Sequence, residues 1–136
     1  MSKPIPTISK YMTTTPHTVA GDVTLAAAGR LMREHDIRHL PVVDDGRLLG
    51  VITDRDIKYV ESFSFVKPED ISIRGAMTEK PYTVAPETPL DEVVATMAEQ
   101  KYGSAIVVQN GHVVGVFTTV DACRALSELL GTRLRK

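Results

Sequence analysis

A seven-residue stretch occurs twice and sets the organisation of the whole chain. Residues 50–56 read GVITDRD, and residues 115–121, 65 positions later, read GVFTTVD. Further matches at the same displacement include Met-Thr at 12 and 77 and Thr-Val-Ala at 18 and 83. A pattern repeated over this length without a gap indicates an internal duplication. We therefore expect two copies of one supersecondary unit.

Each copy predicts the same order of elements. A short extended piece leads to a helix with apolar residues at helical spacing, and two apolar runs joined by Asp-Gly or Asn-Gly then predict a β-hairpin. The predicted strands are 17–20, 40–43 and 48–53 in the first copy and 82–85, 105–108 and 113–118 in the second. The hairpin strands are almost continuously apolar, so both of their faces should be covered. A closing helix follows each hairpin, at about 54–60 and 119–130.

Two helix starts are predicted from local signals. Thr88-Pro89 supplies an N-cap followed by a proline at the first helical position. In the first copy, Asp22 and Thr24 are both candidates for the N-cap, and the sequence does not choose between them.

The repeated stretch places a Thr at the end of a strand and an Asp three residues later, at a helix start. These pairs are Thr53 with Asp56 and Thr118 with Asp121. The unpaired N–H groups of a helix start attract a phosphate, and an Asp carboxylate accepts two ribose hydroxyls, so the stretch suits a nucleotide. The same residues also match a capping box, in which they bond only to each other. The seven residues alone leave both interpretations open.

Composition limits the classes of protein to which the chain can belong. Its 136 residues are enough for one domain, and two halves of this size would each be marginal, so they should share an interface. The net charge of −1 argues against an electrostatic grip on nucleic acid. No apolar run is long enough to span a membrane and no secretory signal opens the chain, so we expect a cytoplasmic protein.

Other reactive chemistry has little support in the sequence. Cys123 lies in a helical pattern and is expected to be a small buried residue. His35 and His39 have the spacing of two metal ligands, but the helix should end near His35 and no third ligand is evident, so no metal site is expected. No catalytic motif is present, and we expect no enzymatic activity.

Two apolar segments allow both a packing role and an interface role. Residues 61–74 show no clean periodicity and are interpreted as a connector, whose Phe63 and Phe65 are expected to pack beneath it rather than contact a partner. The last helix carries an apolar stripe that is either core or a dimer seam. Its members are Val120, Cys123, Leu126, Leu129 and Leu130. We expect a homodimer that buries Leu126, Leu129 or Leu130, and a basic helix end at 133–136 that is solvated.

The ordered motifs resemble a pair of cystathionine β-synthase (CBS) domains, the Bateman module. The resemblance rests on IRHLPVVD at 37–44 followed by GVITDRD at 50–56, and on their counterparts 65 positions later. It covers about residues 7–130 and implies an α+β fold of two β-α-β-β-α repeats packed about a pseudo-twofold axis. The implied divisions are a first repeat at 7–61, a connector at 62–74, a second repeat at 75–130 and a tail at 131–136.

The resemblance also implies a function. Such a module is non-catalytic, requires no cofactor, and binds an adenine nucleotide (AMP, ADP or ATP) in clefts between the two repeats. It would serve in energy sensing by signalling to a partner protein that the sequence does not identify. No attached domain is present in the sequence, so a free-standing module is expected. The alternative is a homodimeric assembly module with empty clefts.

Site residues follow from the resemblance, position by position. Thr53 and Thr118 would contact phosphate or ribose, and Asp56 and Asp121 would accept ribose hydroxyls. The base pockets would be Pro16, His17, Ile37, Arg38 and His39, and Pro81, Tyr82, Tyr102, Gly103 and Ser104. Each cleft would combine the Thr/Asp motif of one repeat with the base pocket of the other. Arg55 adds a cation to the first motif, where the second has Val120, and Arg38 likewise corresponds to Gly103. The first cleft should therefore prefer the more phosphorylated ligand, and the second should be weaker or select AMP or adenosine.

Overall fold

The computed structural model describes residues 4–134. They form four α-helices and eight β-strands, which confirms the α+β class. In chain order these are β1 (Thr13–Thr14), β2 (Val19–Ala20), α1 (Leu25–His35), β3 (His39–Asp44), β4 (Arg47–Thr53), α2 (Asp54–Glu61), β5 (Thr78–Glu79), β6 (Thr83–Val84), α3 (Leu90–Gln100), β7 (Ser104–Gln109), β8 (His112–Thr118) and α4 (Thr119–Arg133). Within the described residues, no helix is both long and apolar enough to cross a membrane.

Two compact units make up the chain, and their boundaries are offset from the sequence repeats. The middle unit is His17–Pro81, and the terminal unit joins the chain up to Pro16 with the chain from Tyr82 onward. Each unit contains one hairpin and its two helices. The middle unit also contains β5, and the terminal unit contains β1 in the equivalent place.

The sheets of the two units have the same topology. In the middle unit β2 runs parallel to β3, and β4 lies antiparallel to both β3 and β5. In the terminal unit β6 runs parallel to β7, and β8 lies antiparallel to both β7 and β1. The turn pairs Asp45-Gly46 (φ 51° and 79°) and Asn110-Gly111 (φ 54° and 81°) are left-handed. This is the conformation that two-residue hairpins require, so both predicted hairpins are confirmed.

Each unit has its own hydrophobic core. The middle unit buries Val19, Leu25, Ala28, Met32, Leu40, Val42, Ile52, Ile57 and Ile73. The terminal unit buries Ile8, Leu90, Val93, Met97, Ala105, Val107, Phe117 and Ala125. Three successive residues of β3 and of β7 are buried, so both faces of these strands are covered, as predicted. The buried Ile57 of α2 and Ala125 of α4 tie the closing helices to their cores.

A fully buried isoleucine anchors a short 3-10 turn in each unit. Ile8 begins the turn Ile8–Lys10 of the terminal unit, and Ile73 begins the turn Ile73–Gly75 of the middle unit. The two residues are 65 positions apart, so the duplication includes these turns. The last part of the expected connector is therefore an ordered piece of the middle unit.

The glycine that opens each repeated stretch lies where two strands approach closely. Gly50 pairs with Glu79 of β5, and a Cβ atom on it would collide with the carbonyl oxygen of Thr78. Gly115 pairs with Thr14 of β1, and a Cβ there would collide with the side chain of Met12. Gly50 is thus needed for close approach of two backbones, and Gly115 leaves room for the Met12 side chain.

The structure resolves one predicted helix start and corrects the other. Thr24 is the N-cap of α1, because its Oγ1 accepts a hydrogen bond from the Ala27 N–H at 3.1 Å. The prediction for α3 is wrong: the helix begins at Leu90, and Pro89 is its N-cap. Thr88 closes the preceding turn instead, where its Oγ1 accepts from the Ala85 N–H at 3.2 Å.

Two predictions of buried side chains are also wrong. Cys123 is exposed, because α4 packs on its core through Ala122, Ala125 and Leu129. Phe65 is 83% exposed, and its ring lies 5.9 Å from that of Phe63, so the pair does not pack beneath the connector. At the carboxyl end, α4 continues to Arg133, and the expected basic residues 135 and 136 lie outside the described residues.

Candidate functional site

The first motif forms a complete capping box at the start of α2. Asp56 Oδ2 accepts from the Thr53 backbone N–H at 3.0 Å, and Thr53 Oγ1 accepts from the Asp56 backbone N–H at 3.1 Å. The capping interpretation is therefore correct, but it does not account for the whole Asp56 side chain. It uses only one carboxylate oxygen, because Asp56 Oδ1 has no hydrogen-bond or ion-pair partner among the described residues.

A cavity of about 370 Å³ lies beside this motif in the middle unit. Its lining residues are Arg55, Asp56, Tyr59, Val60, Gly75 and Ala76. The volume is at the lower end of the range for small-molecule sites, which is about 300–1,000 Å³. The cavity thus combines a carboxylate, an exposed guanidinium and an aromatic ring at one helix start.

The second motif has the same capping box but a different carboxylate environment. The Asp121 side chain is only 9% exposed, and its Oδ2 accepts from the Thr118 N–H at 2.9 Å and from Thr118 Oγ1 at 3.2 Å. Its Oδ1 lies 3.6 Å from Nη1 of Arg124. Both oxygens of Asp121 are therefore engaged, whereas Asp56 keeps one available.

Within each unit, backbone pairing places residues at the start of the hairpin next to the motif of the same unit, whereas the expected cleft, which combines the motif of one repeat with the base pocket of the other, stays a prediction. The Arg38 carbonyl accepts from the Asp54 N–H at 2.9 Å, and His39 is the register partner of Thr53. In the terminal unit the Gly103 carbonyl accepts from the Thr119 N–H at 3.2 Å, and Ser104 is the partner of Thr118. The pairing of β3 with β4, and of β7 with β8, causes this juxtaposition.

Arg38 lies at a second cavity, of about 270 Å³, on the helical side of the middle unit. That cavity is lined by charged residues of both signs and by part of the core, namely Gly29, Met32, Arg33, Asp36, Ile37, Arg38, Asp54, Ile57, Lys58 and Glu61. Ile37 also packs against the core, and its N–H donates to the Met32 carbonyl at 2.9 Å. Arg38 and Ile37 are thus not among the residues that line the cavity of Arg55 and Asp56.

The remaining base-pocket residues include an aromatic pair in each unit. The rings of Tyr82 and Tyr102 stack with centroids 5.2 Å apart in the terminal unit. In the middle unit the ring of His17 stacks on that of His35, with centroids 3.7 Å apart. The sequence had suggested only a metal-ligand role for His35. The half-buried prolines of these pockets, Pro16 and Pro81, each lie a few residues before a short strand, β2 or β6.

The side chains of His35 and His39 do not share a helix face, because α1 ends at His35 and β3 begins at His39. Among residues 4–134, no group of three or more His, Cys, Asp or Glu side chains could hold a metal ion. The sequence had no signal for the His17–His35 stack, which depends on how the segment before β2 packs against the end of α1.

Comparison with known proteins gives consistent results. The CBS domain family model matches residues 8–62 and 69–128. The chain is 31% identical over 134 residues to an inosine-5'-monophosphate dehydrogenase of Korarchaeum cryptofilum, covering 98% of this chain but only 27% of that enzyme. The chain therefore spans about a quarter of this curated relative's length.

Solved structures with the same fold include AcuB of Vibrio cholerae, at a TM-score of 0.87 and 30% identity over 98% of each chain. The CBS domain pair of protein MJ0100, in complex with 5'-methylthioadenosine and S-adenosyl-L-methionine, has a TM-score of 0.84 at 28% identity, covering 92% of this chain and 98% of that one. CBSX2 in complex with AMP has a TM-score of 0.80 at 26% identity, covering 91% and 98%. Because the family model matches two successive segments that span most of the sequence, this chain belongs to the CBS domain family and carries a tandem pair of CBS domains.

Proposed function

We propose that the chain is a non-catalytic regulatory module that binds an adenine nucleotide and signals its presence to a partner protein. The observation that carries the proposal is the 370 Å³ cavity at the start of α2, which is lined by both Arg55 and Asp56, the latter with an available Oδ1. The ligand class is AMP, ADP or ATP.

The chemistry of the cavity suits the parts of a nucleotide. A carboxylate oxygen accepts the ribose hydroxyls, so Asp56 holds the sugar. The guanidinium of Arg55 pairs with phosphate oxygens, and the positive end of α2 favours the same negative charge. Tyr59 lines the cavity and offers an apolar ring. Thr53 keeps Asp56 in place through the capping box.

Relatives support the ligand class. The MJ0100 pair was solved with 5'-methylthioadenosine and S-adenosyl-L-methionine, and CBSX2 was solved with AMP. An adenosine group is common to these three ligands. We infer that this chain also binds an adenosine-containing ligand, and that Arg55 selects a ligand that carries phosphate.

The two motifs should differ in ligand preference. The middle unit has Arg55 and an available carboxylate oxygen, so it should prefer the more phosphorylated nucleotide. The terminal unit has Val120 in place of Arg55 and an engaged Asp121, so it should be weaker or select AMP or adenosine. A cytoplasmic module with this asymmetry would respond to the ratio of ATP to AMP, which is an energy-sensing role.

Calorimetric titration of the purified protein with ATP, ADP, AMP and adenosine tests the proposal. We expect saturable binding of at least one phosphorylated ligand, and GTP at the same concentrations serves as the control for base selectivity. Mass spectrometry of small molecules released on denaturation would identify a copurifying nucleotide. Absence of binding by all four adenine compounds at millimolar concentration would overturn the proposal.

A second candidate function is that of a homodimeric assembly module, and the exposed face of α4 favours it. Val120, Leu126 and Leu130 are 57%, 57% and 48% exposed, so these members of the predicted stripe are not core, whereas Leu129 packs against the core. A contiguous apolar helix face of this kind is typical of an interface between two copies of a chain. Light scattering at tens of micromolar should give a dimer, and Leu126→Asp should give a monomer. A monomeric wild-type protein would exclude this role.

A further inference from the structure

The position three residues after the motif aspartate distinguishes the two units. It is Tyr59 in α2 and Arg124 in α4, 65 positions apart. Tyr59 lines the 370 Å³ cavity and leaves Asp56 Oδ1 available. Arg124 forms an ion pair with Asp121 Oδ1 at 3.6 Å, so the oxygen that a ribose hydroxyl would need already has a partner.

The surroundings of this ion pair show which partner can move. The Asp121 side chain is 9% exposed and is held by two hydrogen bonds from Thr118, whereas the Arg124 side chain is 76% exposed. Arg124 can therefore rotate away without disturbing the core. An ion pair with one largely solvated partner is weak, so a competing phosphate can displace it. Loss of Arg124 without replacement, however, would leave a nearly buried carboxylate without its cation.

We propose that Arg124 determines the specificity of the second nucleotide site, a proposal that rests on the function proposed above. In the empty site its guanidinium covers Asp121, and on binding it transfers to the phosphate of the ligand while Asp121 accepts the ribose hydroxyls. A nucleoside monophosphate supplies a new partner for Arg124, but a nucleoside without phosphate does not. The terminal unit therefore accepts AMP and discriminates against adenosine. The presence of Val120 in place of Arg55 had left both ligands open for this unit.

The middle unit follows a different rule because Tyr59 carries no charge. Asp56 Oδ1 has no competing cation, so adenosine can bind there without displacing a side chain. Arg55 then gives a phosphorylated nucleotide a higher affinity than adenosine at this site. One chain thus contains a site at which phosphate only adds affinity and a site at which phosphate also gives a new partner to the cation that competes for the carboxylate.

The test uses the full chain with Asp56→Ala as background, so that only the terminal unit binds. Calorimetry compares AMP and adenosine before and after adding Arg124→Gln, which keeps a polar side chain and removes the charge. We expect adenosine affinity to rise about two- to fivefold, because a weak competing ion pair is lost. AMP affinity should fall about tenfold or more, because the phosphate loses a charge-assisted partner. Arg124→Lys should retain most of the AMP affinity.

Arg133→Gln, at the other end of α4, is the matched control and should change neither ligand. Thermal melts verify folding of each variant. If Asp56→Ala does not fold, the same comparison is made in the wild-type background by fitting the weaker site. If Arg124→Gln changes the AMP and adenosine affinities by the same factor, or changes neither, the role of Arg124 is overturned while nucleotide binding stays intact. Failure of the wild-type protein to bind any adenine compound would instead overturn the proposed function, and this inference with it.

Discussion

Replacing Asp56 by Ala separates the two roles that the structure allows for this residue. The substitution removes the hydrogen bond from the Thr53 N–H to Oδ2, at 3.0 Å. The reciprocal bond from the backbone N–H of residue 56 to Thr53 Oγ1 survives, because it does not use the Asp56 side chain. Loss of half a capping box and one acidic charge in the first turn should lower the free energy of unfolding by about 0.5–2 kcal/mol.

The effect on binding should be larger than the effect on stability. A carboxylate that accepts hydroxyl groups of a ribose contributes on the order of 2–4 kcal/mol. Its removal should raise the Kd for ATP at the middle unit by about 30- to 700-fold. Calorimetry measures the Kd, and chemical denaturation without ligand measures the stability of the same samples.

Asp54→Ala is the matched control for this substitution. Asp54 is also an acid in the first turn of α2, and it pairs with Lys58 at 3.1 Å, but it lines the 270 Å³ cavity instead. It should change stability by no more than about 1 kcal/mol and leave the Kd for ATP unaltered. If Asp56→Ala lowers the melting temperature but binds ATP with the wild-type Kd, capping is the whole role of Asp56 and the site is refuted.

Two further predictions concern Arg55 and the glycine of the first motif. Arg55→Ala should weaken ATP about tenfold more than adenosine, because only ATP offers phosphate oxygens, and the difference should shrink with added salt. Equal losses for the two ligands in calorimetry would show that Arg55 supports α2 rather than phosphate. Gly50→Ala should destabilise by about 1–3 kcal/mol, because its Cβ meets the Thr78 carbonyl. Gly131→Ala, where a Cβ meets nothing within 4 Å, should instead stabilise α4 by about 0.5–1 kcal/mol. Denaturation curves in which Gly50→Ala is at least as stable as the wild-type protein would contradict the close strand approach.

Local chemistry explains why most of the fold could be predicted from the sequence. Asp45-Gly46 and Asn110-Gly111 determine their turns almost alone, because few other residues adopt two successive left-handed conformations. Thr53 and Asp56 likewise indicated a helix start through a bond between residues three apart. At Thr88 the local signal gave a wrong prediction, because the hydroxyl accepts a hydrogen bond from the preceding turn and the helix begins later.

The features that sequence reasoning missed depend on contacts between distant segments. The engagement of Asp121 by Arg124 involves neighbours on one helix, but the near burial of Asp121 follows from how α4 packs on its core. The stack of His17 on His35 joins a residue that precedes β2 to the last residue of α1. No local pattern records such a contact. Aligning the two repeats does show, however, that Tyr59 and Arg124 occupy equivalent positions.

The offset between sequence repeats and compact units has a consequence that can be measured. Ile8 opens the first repeat in sequence, yet it belongs to the terminal unit, whose other elements come from the second repeat. Its N–H donates to the Thr88 carbonyl at 2.8 Å, and its side chain is fully buried beside residues of α3 and β7. Ile73 has the equivalent place in the core of the middle unit.

Ile8→Ala and Ile73→Ala should therefore destabilise different parts of the chain. Each removes a fully buried side chain and should lower the free energy of unfolding by about 2–5 kcal/mol. Amide hydrogen exchange should become faster in α3, β7 and β8 for Ile8→Ala, and in α1, β3 and β4 for Ile73→Ala. If the chain were organised by its sequence repeats, Ile8→Ala would instead accelerate exchange in α1 and the first hairpin. That outcome would refute the division into middle and terminal units, because a cavity should loosen first the core that contains it.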